Sequence, residues 1–297
     1  MNQILVVRSG ALGDTILTLP LLASIRRIRP DCRVSFLGSR AYRSLIPPDI
    51  SFQGLDSPEW VWLFSEAISP LPGLVDTFRE AYVILDRPDT VVAILRKAGI
   101  KIIQHTCSRP QADRHVVESM HEGLGMPSPP RAPVLSHMAP AARTRNFIWL
   151  HPGSGSSRKC IPLDVMASVA EILKTCTGWD LVVTAGEEDA FLLKQPAWER
   201  LTASAGTRLY LNRALEEICE ELGAARLFVG NDSGMSHLAA GLGVPSVVFF
   251  VSTNPAHWAP WVPESRLKAV DFRCADCDAA GLARACLGMI EYPGSHA

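Results

Sequence analysis

Gly230-Asn231-Asp232-Ser233-Gly234-Met235-Ser236-His237-Leu238-Ala239-Ala240-Gly241-Leu242-Gly243-Val244-Pro245 is the stretch whose reading decides the fold. One apolar run, Arg226-Leu227-Phe228-Val229, enters it, and a second, Ser246-Val247-Val248-Phe249-Phe250-Val251, leaves it. Strand, polar turn, short small-residue helix, strand is the simplest reading of that order. Asp232 or Ser233 can cap the helix start, and Gly241 and Gly243 close its end. The start of such a helix presents free N–H groups and the positive end of the helix dipole, so it attracts phosphate. In an open α/β sheet it lies at the carboxyl ends of the strands, where ligands bind. An ordinary capped helix in a parallel sheet has the same signature, so the flanking chain must distinguish the two.

Outward from this stretch, the second half alternates regularly. Strands are predicted at 147–151, 181–185, 207–211, 226–230 and 246–250, and helices at 163–175, 188–194, 214–223 and 234–241. That alternation is the pattern of a doubly wound parallel sheet. A last helix, 279–290, has no docking site that the pattern specifies. The first half opens with a strand at 4–8 and a glycine turn, Ser9-Gly10-Ala11-Leu12-Gly13-Asp14. Ile16, Leu17, Leu21, Leu22, Ile25 and Ile28 then recur at helical spacing, with Pro20 marking either a kink or the start of the regular helix. A strand at 34–38 completes a right-handed βαβ unit. Further strands are predicted at 82–85 and 101–104, and helices at 89–98 and 115–124. Residues 41–80 are weakly patterned. Pro127, Pro129, Pro130 and Pro133, followed by a polar, alanine-rich segment, mark a boundary. The expected domains are 1–140 and 146–297, with the tail helix free to pack back on the first.

Composition narrows the function classes. The chain has 297 residues, 47% of them hydrophobic, which suits about two domains with sizeable cores. A net charge of −1 gives no basic face, so nucleic acid is not the expected partner. No apolar run approaches the roughly 20 residues that span a bilayer. The opening Met1-Asn2-Gln3-Ile4-Leu5-Val6-Val7 lacks a basic leader and reads as a first strand, so a cytoplasmic protein is expected. Of eight cysteines, Cys274, Cys277 and Cys286 lie closest together; a zinc site would need a fourth ligand, and only His296 follows them, so no metal site is expected. Arg26, Arg27 and Arg29 end the first helix, either solvated or touching an anionic leaflet.

Three turns carry residues suited to chemistry. The second domain opens with a strand ending in His151, then Pro152-Gly153-Ser154-Gly155-Ser156-Ser157-Arg158-Lys159. Its small residues allow close approach, its hydroxyls and N–H groups can bind phosphate oxygens, and Lys159 adds a positive charge. With the turn at Asp232-Ser233-Gly234, it offers two anion-friendly strand ends in one sheet. His237 lies one turn into the helix, where it can either reach a phosphate or pack in the core. After Thr184-Ala185-Gly186, Glu187 or Glu188 can accept hydrogen bonds from ribose hydroxyls, or simply favour a helix start. In the first domain Asp14 follows Gly13 at the end of the first strand. A carboxylate repels phosphate there, which leaves general-base work on a hydroxyl or a helix N-cap.

Together these residues resemble the ADP-heptose:lipopolysaccharide heptosyltransferases, a bacterial family of glycosyltransferases (family 9) with the GT-B fold. The anchors are Ile4-Leu5-Val6-Val7-Arg8-Ser9-Gly10-Ala11-Leu12-Gly13-Asp14 with Leu19-Pro20; Leu150-His151-Pro152-Gly153-Ser154 with Lys159 and Pro162; and Val229-Gly230-Asn231-Asp232-Ser233-Gly234-Met235-Ser236-His237 with Gly243-Val244-Pro245. The resemblance implies two Rossmann-like doubly wound domains facing a cleft, the second binding the nucleotide sugar and the first the acceptor. It implies an inverting, metal-independent transfer of heptose from ADP-heptose to a lipid-linked or core oligosaccharide of the cell envelope. Peripheral contact with the inner face of the cytoplasmic membrane and no further cofactor go with it. Asp14 matches the family's general base, while Lys159 and the helix starting near Ser233 match its hold on the leaving diphosphate. Glu187 or Glu188 matches the ribose-binding acid, and Arg213 lies where the family's backbone lines the adenine pocket. Cys160-Ile161 replaces the usual aromatic before Pro162, and Leu85-Asp86-Arg87-Pro88 departs from the family's pattern. The rivals are a nucleotide-sugar epimerase or hydrolase of the same fold and a non-catalytic nucleotide-sugar-binding protein; a Rossmann dehydrogenase lacks its Gly-x-Gly-x-x-Gly fingerprint here.

Overall fold

A computed structural model describes residues 3–64, 76–111, 113–139, 145–273 and 278–291. The chain divides into two compact units, Met1–Pro130 and Arg131–Ala297.

The first unit runs β1 (Gln3–Arg8), α1 (Leu12–Ile28), β2 (Arg33–Gly38), β3 (Ser51–Gly54), β4 (Phe78–Ile84), α2 (Asp89–Lys97), β5 (Ile102–Thr106) and α3 (Val116–Gly123). Its five strands are all parallel, in the order β3-β2-β1-β4-β5. The chain builds outward from β1 to β3, then returns to the other side of β1 with β4. The carboxyl ends of β1 and β4 therefore form a topological switch point, the place where open α/β sheets bind ligands. Ile4, Leu5, Val6 and Val7 are buried on both faces, which is why β1 reads as an uninterrupted apolar run.

Three elements differ from expectation. α1 continues through Pro20. An interior proline costs about 3 kcal/mol, but burying Leu17, Leu19, Leu21, Leu22 and Ile25 returns roughly 1.5–3 kcal/mol each. β4 starts at Phe78 rather than 82, its polar Arg79-Glu80 hiding the pattern; Glu80 is buried, taking hydrogen bonds from Tyr82 Oη (2.8 Å), Gln104 Nε2 (2.9 Å) and Arg29 Nε (3.1 Å). Burial pushes the Tyr82 hydroxyl well above its ordinary pKa, and the Glu80 bond adds to this. β3 is too short and polar to show in the sequence. Of the arginines ending α1, Arg29 is held by Glu80 and Arg26 pairs with Asp49.

The second unit runs β6 (Arg145–His151), α4 (Leu163–Thr177), β7 (Asp180–Ala185), α5 (Pro196–Thr202), β8 (Thr207–Leu211), α6 (Leu215–Leu222), β9 (Ala225–Asn231), α7 (Gly234–Gly241), β10 (Ser246–Phe250), α8 (Pro255–Trp258), β11 (Leu267–Asp271) and α9 (Ala279–Glu291). The six strands are parallel, in the order β11-β10-β9-β6-β7-β8. The switch point here lies between β6 and β9, where His151 is in register with Gly230. The helix expected at 188–194 is only a single 3-10 turn, Glu187–Asp189; the regular helix, α5, waits for Pro196, which is tolerated at its first turn. β11 is an additional strand. α9 packs against α4 and the sheet, burying Leu282, Ala283 and Cys286 in this unit's core. Cys274, Cys277 and His296 lie outside the described residues. Among the described residues, no helix is long and apolar enough to cross a membrane.

Candidate active site

At the second unit's switch point three loops are tied to one another. Asn231, the last residue of β9, donates from Nδ2 to the Pro152 carbonyl (2.7 Å) and accepts at Oδ1 from the Ile161 N–H (3.0 Å), clamping both ends of the glycine-serine loop after β6. Ser154 Oγ donates to the Asp232 carbonyl oxygen (2.8 Å). Lys159 Nζ lies 2.9 Å from Asp232 Oδ2, and Thr253 Oγ1, from the loop after β10, donates to the same oxygen at 2.6 Å. Asp232 is 4% exposed. A buried carboxylate is stable only when paired, and here a cation and a hydroxyl share that task. The lysine ammonium has three hydrogens and spends one on Asp232. It is partly exposed, so the others point where a ligand could meet them.

The start of α7 is capped by Ser233, not Asp232. The Ser233 N–H donates to Ser236 Oγ (3.2 Å), the reciprocal arm of a capping box. Gly234 opens the helix, and His237 is buried one turn in. Asn231 and Thr253 are contributors that the sequence did not single out. Ser154, expected to reach a phosphate, has its hydroxyl hydrogen committed to Asp232.

Beside this group, after β7, Glu187 and Glu188 are both exposed on the 3-10 turn. The acid that turns inward is their neighbour Asp189, which is 4% exposed and accepts from the Gly186 N–H at 2.9 Å. Its Oδ2 lies 3.8 Å from His151 Nε2. Burial pushes the His151 pKa down, and Asp189 only partly opposes this. The ring's Nδ1 sits 3.0 Å from Thr184 Oγ1, which also accepts from Trp149 Nε1 (3.1 Å). A Cβ on Gly153 would stand 2.0 Å from Asp189 Oδ1, so only glycine fits where the loop crosses this carboxylate. Gly153→Ala is expected to cost about 1–3 kcal/mol of stability by overpacking, read by thermal melting; an unchanged melting point would show that Asp189 moves freely.

Arg213 lies after β8, exposed, 3.7 Å from Glu217 and 5.8 Å from the centre of the Tyr210 ring. Among the described residues no hydrogen bond or ion pair joins Arg213, Glu187 or Glu188 to Lys159 or Asp232. Burial pushes the pKa of the Cys160 thiol, next to Lys159, up to about 11. Among the described residues, no group of three or more His, Cys, Asp or Glu side chains is arranged to hold a metal.

The first unit's switch point holds Asp14. It is the third residue of α1, with Gly13 before it. Its Oδ2 accepts from the Ala11 N–H (3.0 Å), and its Oδ1 is 2.8 Å from Nη2 of Arg8, the last residue of β1. The cap and the free carboxylate were alternatives in the sequence; here one oxygen serves the helix start and the other an ion pair. Gly10 (φ +148°) makes the turn possible, since a Cβ there would be 2.6 Å from the Asp14 Cβ.

The model of glycosyltransferase family 9 (heptosyltransferase) matches residues 96–283, more than half of the chain and all of the second unit's site. A lipopolysaccharide heptosyltransferase 3 from Escherichia coli is 25% identical over 290 residues, covering 84% of this chain and 83% of the relative. Among solved structures, the E. coli ADP-heptose lipopolysaccharide heptosyltransferase II superposes with a TM-score of 0.70 at 15% identity, covering 98% of this chain and 99% of that one. An E. coli heptosyltransferase solved with ADP gives 0.68 at 14% identity, covering 97% and 99%. The two parallel α/β units are thus those of the GT-B heptosyltransferase fold, and the protein is a glycosyltransferase: the chain belongs to glycosyltransferase family 9, the heptosyltransferase family.

Proposed function

We propose that the protein transfers a heptose from ADP-heptose to a hydroxyl of a lipopolysaccharide-core or other lipid-linked envelope oligosaccharide, with inversion and without a metal. The observation that carries this reading is the convergence of Lys159, Ser154, Thr253 and Asp232 beside the start of α7, at the β6/β9 switch point. A leaving diphosphate is stabilised there by the lysine ammonium and by N–H groups at the helix start, which act where charge develops. Asp14 takes the proton of the acceptor hydroxyl as its oxygen attacks the anomeric carbon and the C–O bond to ADP breaks. Glu187 or Glu188 bonds the ribose hydroxyls, and the backbone near Arg213 borders the adenine. Two relatives support the donor: one is described as an ADP-heptose transferase and one was solved with ADP.

A nucleotide screen by thermal shift tests the donor. ADP is expected to raise the melting point by mass action, with UDP and GDP leaving it in place; a preference for UDP would overturn the assignment. Turnover is expected to persist unchanged in EDTA, because a cationic side chain and a helix end do the work of a metal; strong inhibition by the chelator would count against this. ADP release should require the acceptor, whereas a hydrolase would release it from the donor alone.

A further inference from the structure

We infer that Arg8 is the positioning residue that aims Asp14 for catalysis, holding its carboxylate from the buried side while leaving the solvent side open to the acceptor hydroxyl. The inference rests on the reading of Asp14 as the general base. Arg8 closes the central strand of the first unit, at its switch point, and its side chain is 5% exposed. A guanidinium does not lose its proton in proteins, so this is a fixed charge placed out of water. Among the described residues its one carboxylate partner is Asp14, 2.8 Å from Nη2. Nη1 reaches the Ile84 carbonyl at a long 3.4 Å, and Nε is buried without a hydrogen-bond partner among the described residues. A strand end that served only stability would be better filled by an apolar residue like the four before it. Isolated buried charge is costly, and what Arg8 does with that cost is fix one oxygen of Asp14.

The geometry suits the task. The Asp14 side chain is 33% exposed. Oδ1 is held by Arg8 and Oδ2 by the Ala11 N–H, so the carboxylate plane is set at two points. Each carboxylate oxygen has a second lone pair, so neither contact blocks the acceptance of a proton. A base fixed in this way needs no reorientation when the acceptor arrives, and misplacement by about 1 Å can cost on the order of a hundredfold in rate.

The test compares Arg8→Met, Arg8→Lys, Asp14→Asn and the Arg8→Met/Asp14→Asn double variant, with each preparation normalised to its ADP-binding sites. Arg8→Met is expected to lower kcat by roughly 10- to 100-fold, with the ADP dissociation constant and donor KM within about twofold of wild type. Arg8→Lys should recover part of the loss, since it restores the charge but not the planar fork. In the double variant, loss of Arg8 should add nothing to loss of Asp14. A lowered melting point with unchanged kcat per site would make Arg8 merely structural and overturn the inference, as would additive losses in the double variant. Asp14→Asn that keeps full turnover would instead overturn the general-base reading itself. Should Arg8→Met fail to fold, Arg8→Gln carries the same kcat comparison without the charge, and a wild-type kcat per site there overturns the inference.

Discussion

Asp14→Asn is expected to lower the rate of glycosyl transfer by about 10²- to 10⁴-fold and to leave ADP affinity within about twofold of wild type. The rate falls because an amide oxygen cannot take the proton of the attacking hydroxyl. ADP affinity holds because every polar group assigned to the diphosphate belongs to the second unit. Asn is the informative replacement, and Asp14→Ala is not. Asp14 is the counter-ion of Arg8, whose side chain is 5% exposed. Truncating one member of a buried pair leaves an uncompensated charge, which costs about 3–5 kcal/mol when both partners are buried. Asp14 itself is 33% exposed, so solvent moderates that figure. Asn keeps an oxygen for Arg8 and nearly the same shape, giving up only the bond from the Ala11 N–H. Steady-state kinetics beside ADP titration separate the outcomes: loss of rate alone supports the base, and equal loss of both would assign Asp14 to the architecture of α1.

Lys159→Ala is expected to produce the second large effect, this time on binding and rate together. A charge-assisted hydrogen bond contributes about 1.5–3 kcal/mol, so ADP affinity falls roughly 10- to 100-fold. Because negative charge grows on the diphosphate as the glycosidic bond breaks, kcat falls as well, by on the order of 10²-fold or more. The structure adds a qualification that the sequence does not contain. Lys159 also neutralises Asp232, which is 4% exposed and otherwise has Thr253 on that oxygen. Removing the lysine leaves an anion beside the phosphate position, so part of the lost affinity comes from repulsion. Adding Asp232→Asn to Lys159→Ala should therefore restore some ADP affinity, measurable by calorimetry. No restoration would show that Asp232 does not face the diphosphate, and unchanged affinity in the single variant would remove Lys159 from the site.

Much of the architecture could be read from the residues because parallel strands buried on both faces write themselves as apolar runs. Leu181-Val182-Val183 and Val247-Val248-Phe249-Phe250 are fully buried, and their strands lie where the pattern put them. α7 matches its predicted span of 234–241 because serine and glycine punctuate both ends. The failures share a cause. β3 is four residues of mixed polarity, and the start of β4 is masked by Arg79 and Glu80, a polar pair whose second member is buried only because Tyr82, Gln104 and Arg29 come to it. In place of a helix at 188–194 there is a 3-10 turn, Glu187–Asp189, whose start is capped by Asp189 on the Gly186 N–H, and the regular helix begins only at Pro196.

By itself, then, the sequence determined the strand–helix alternation, the two-part organisation and the positions of the glycine- and serine-rich turns at the strand ends, since each depends on residues close along the chain. Strand order came only from the tertiary structure, and with it the identity of the residues that work together. Asn231 meets Pro152 across 79 positions, and Lys159 meets Asp232 across 73. Thr253 and Arg8 carry no local mark beyond being polar at the end of an apolar run. A buried polar side chain is defined by its partner, and partners as distant in sequence as those of Asn231 and Lys159 are brought together only when the sheet places β9 beside β6.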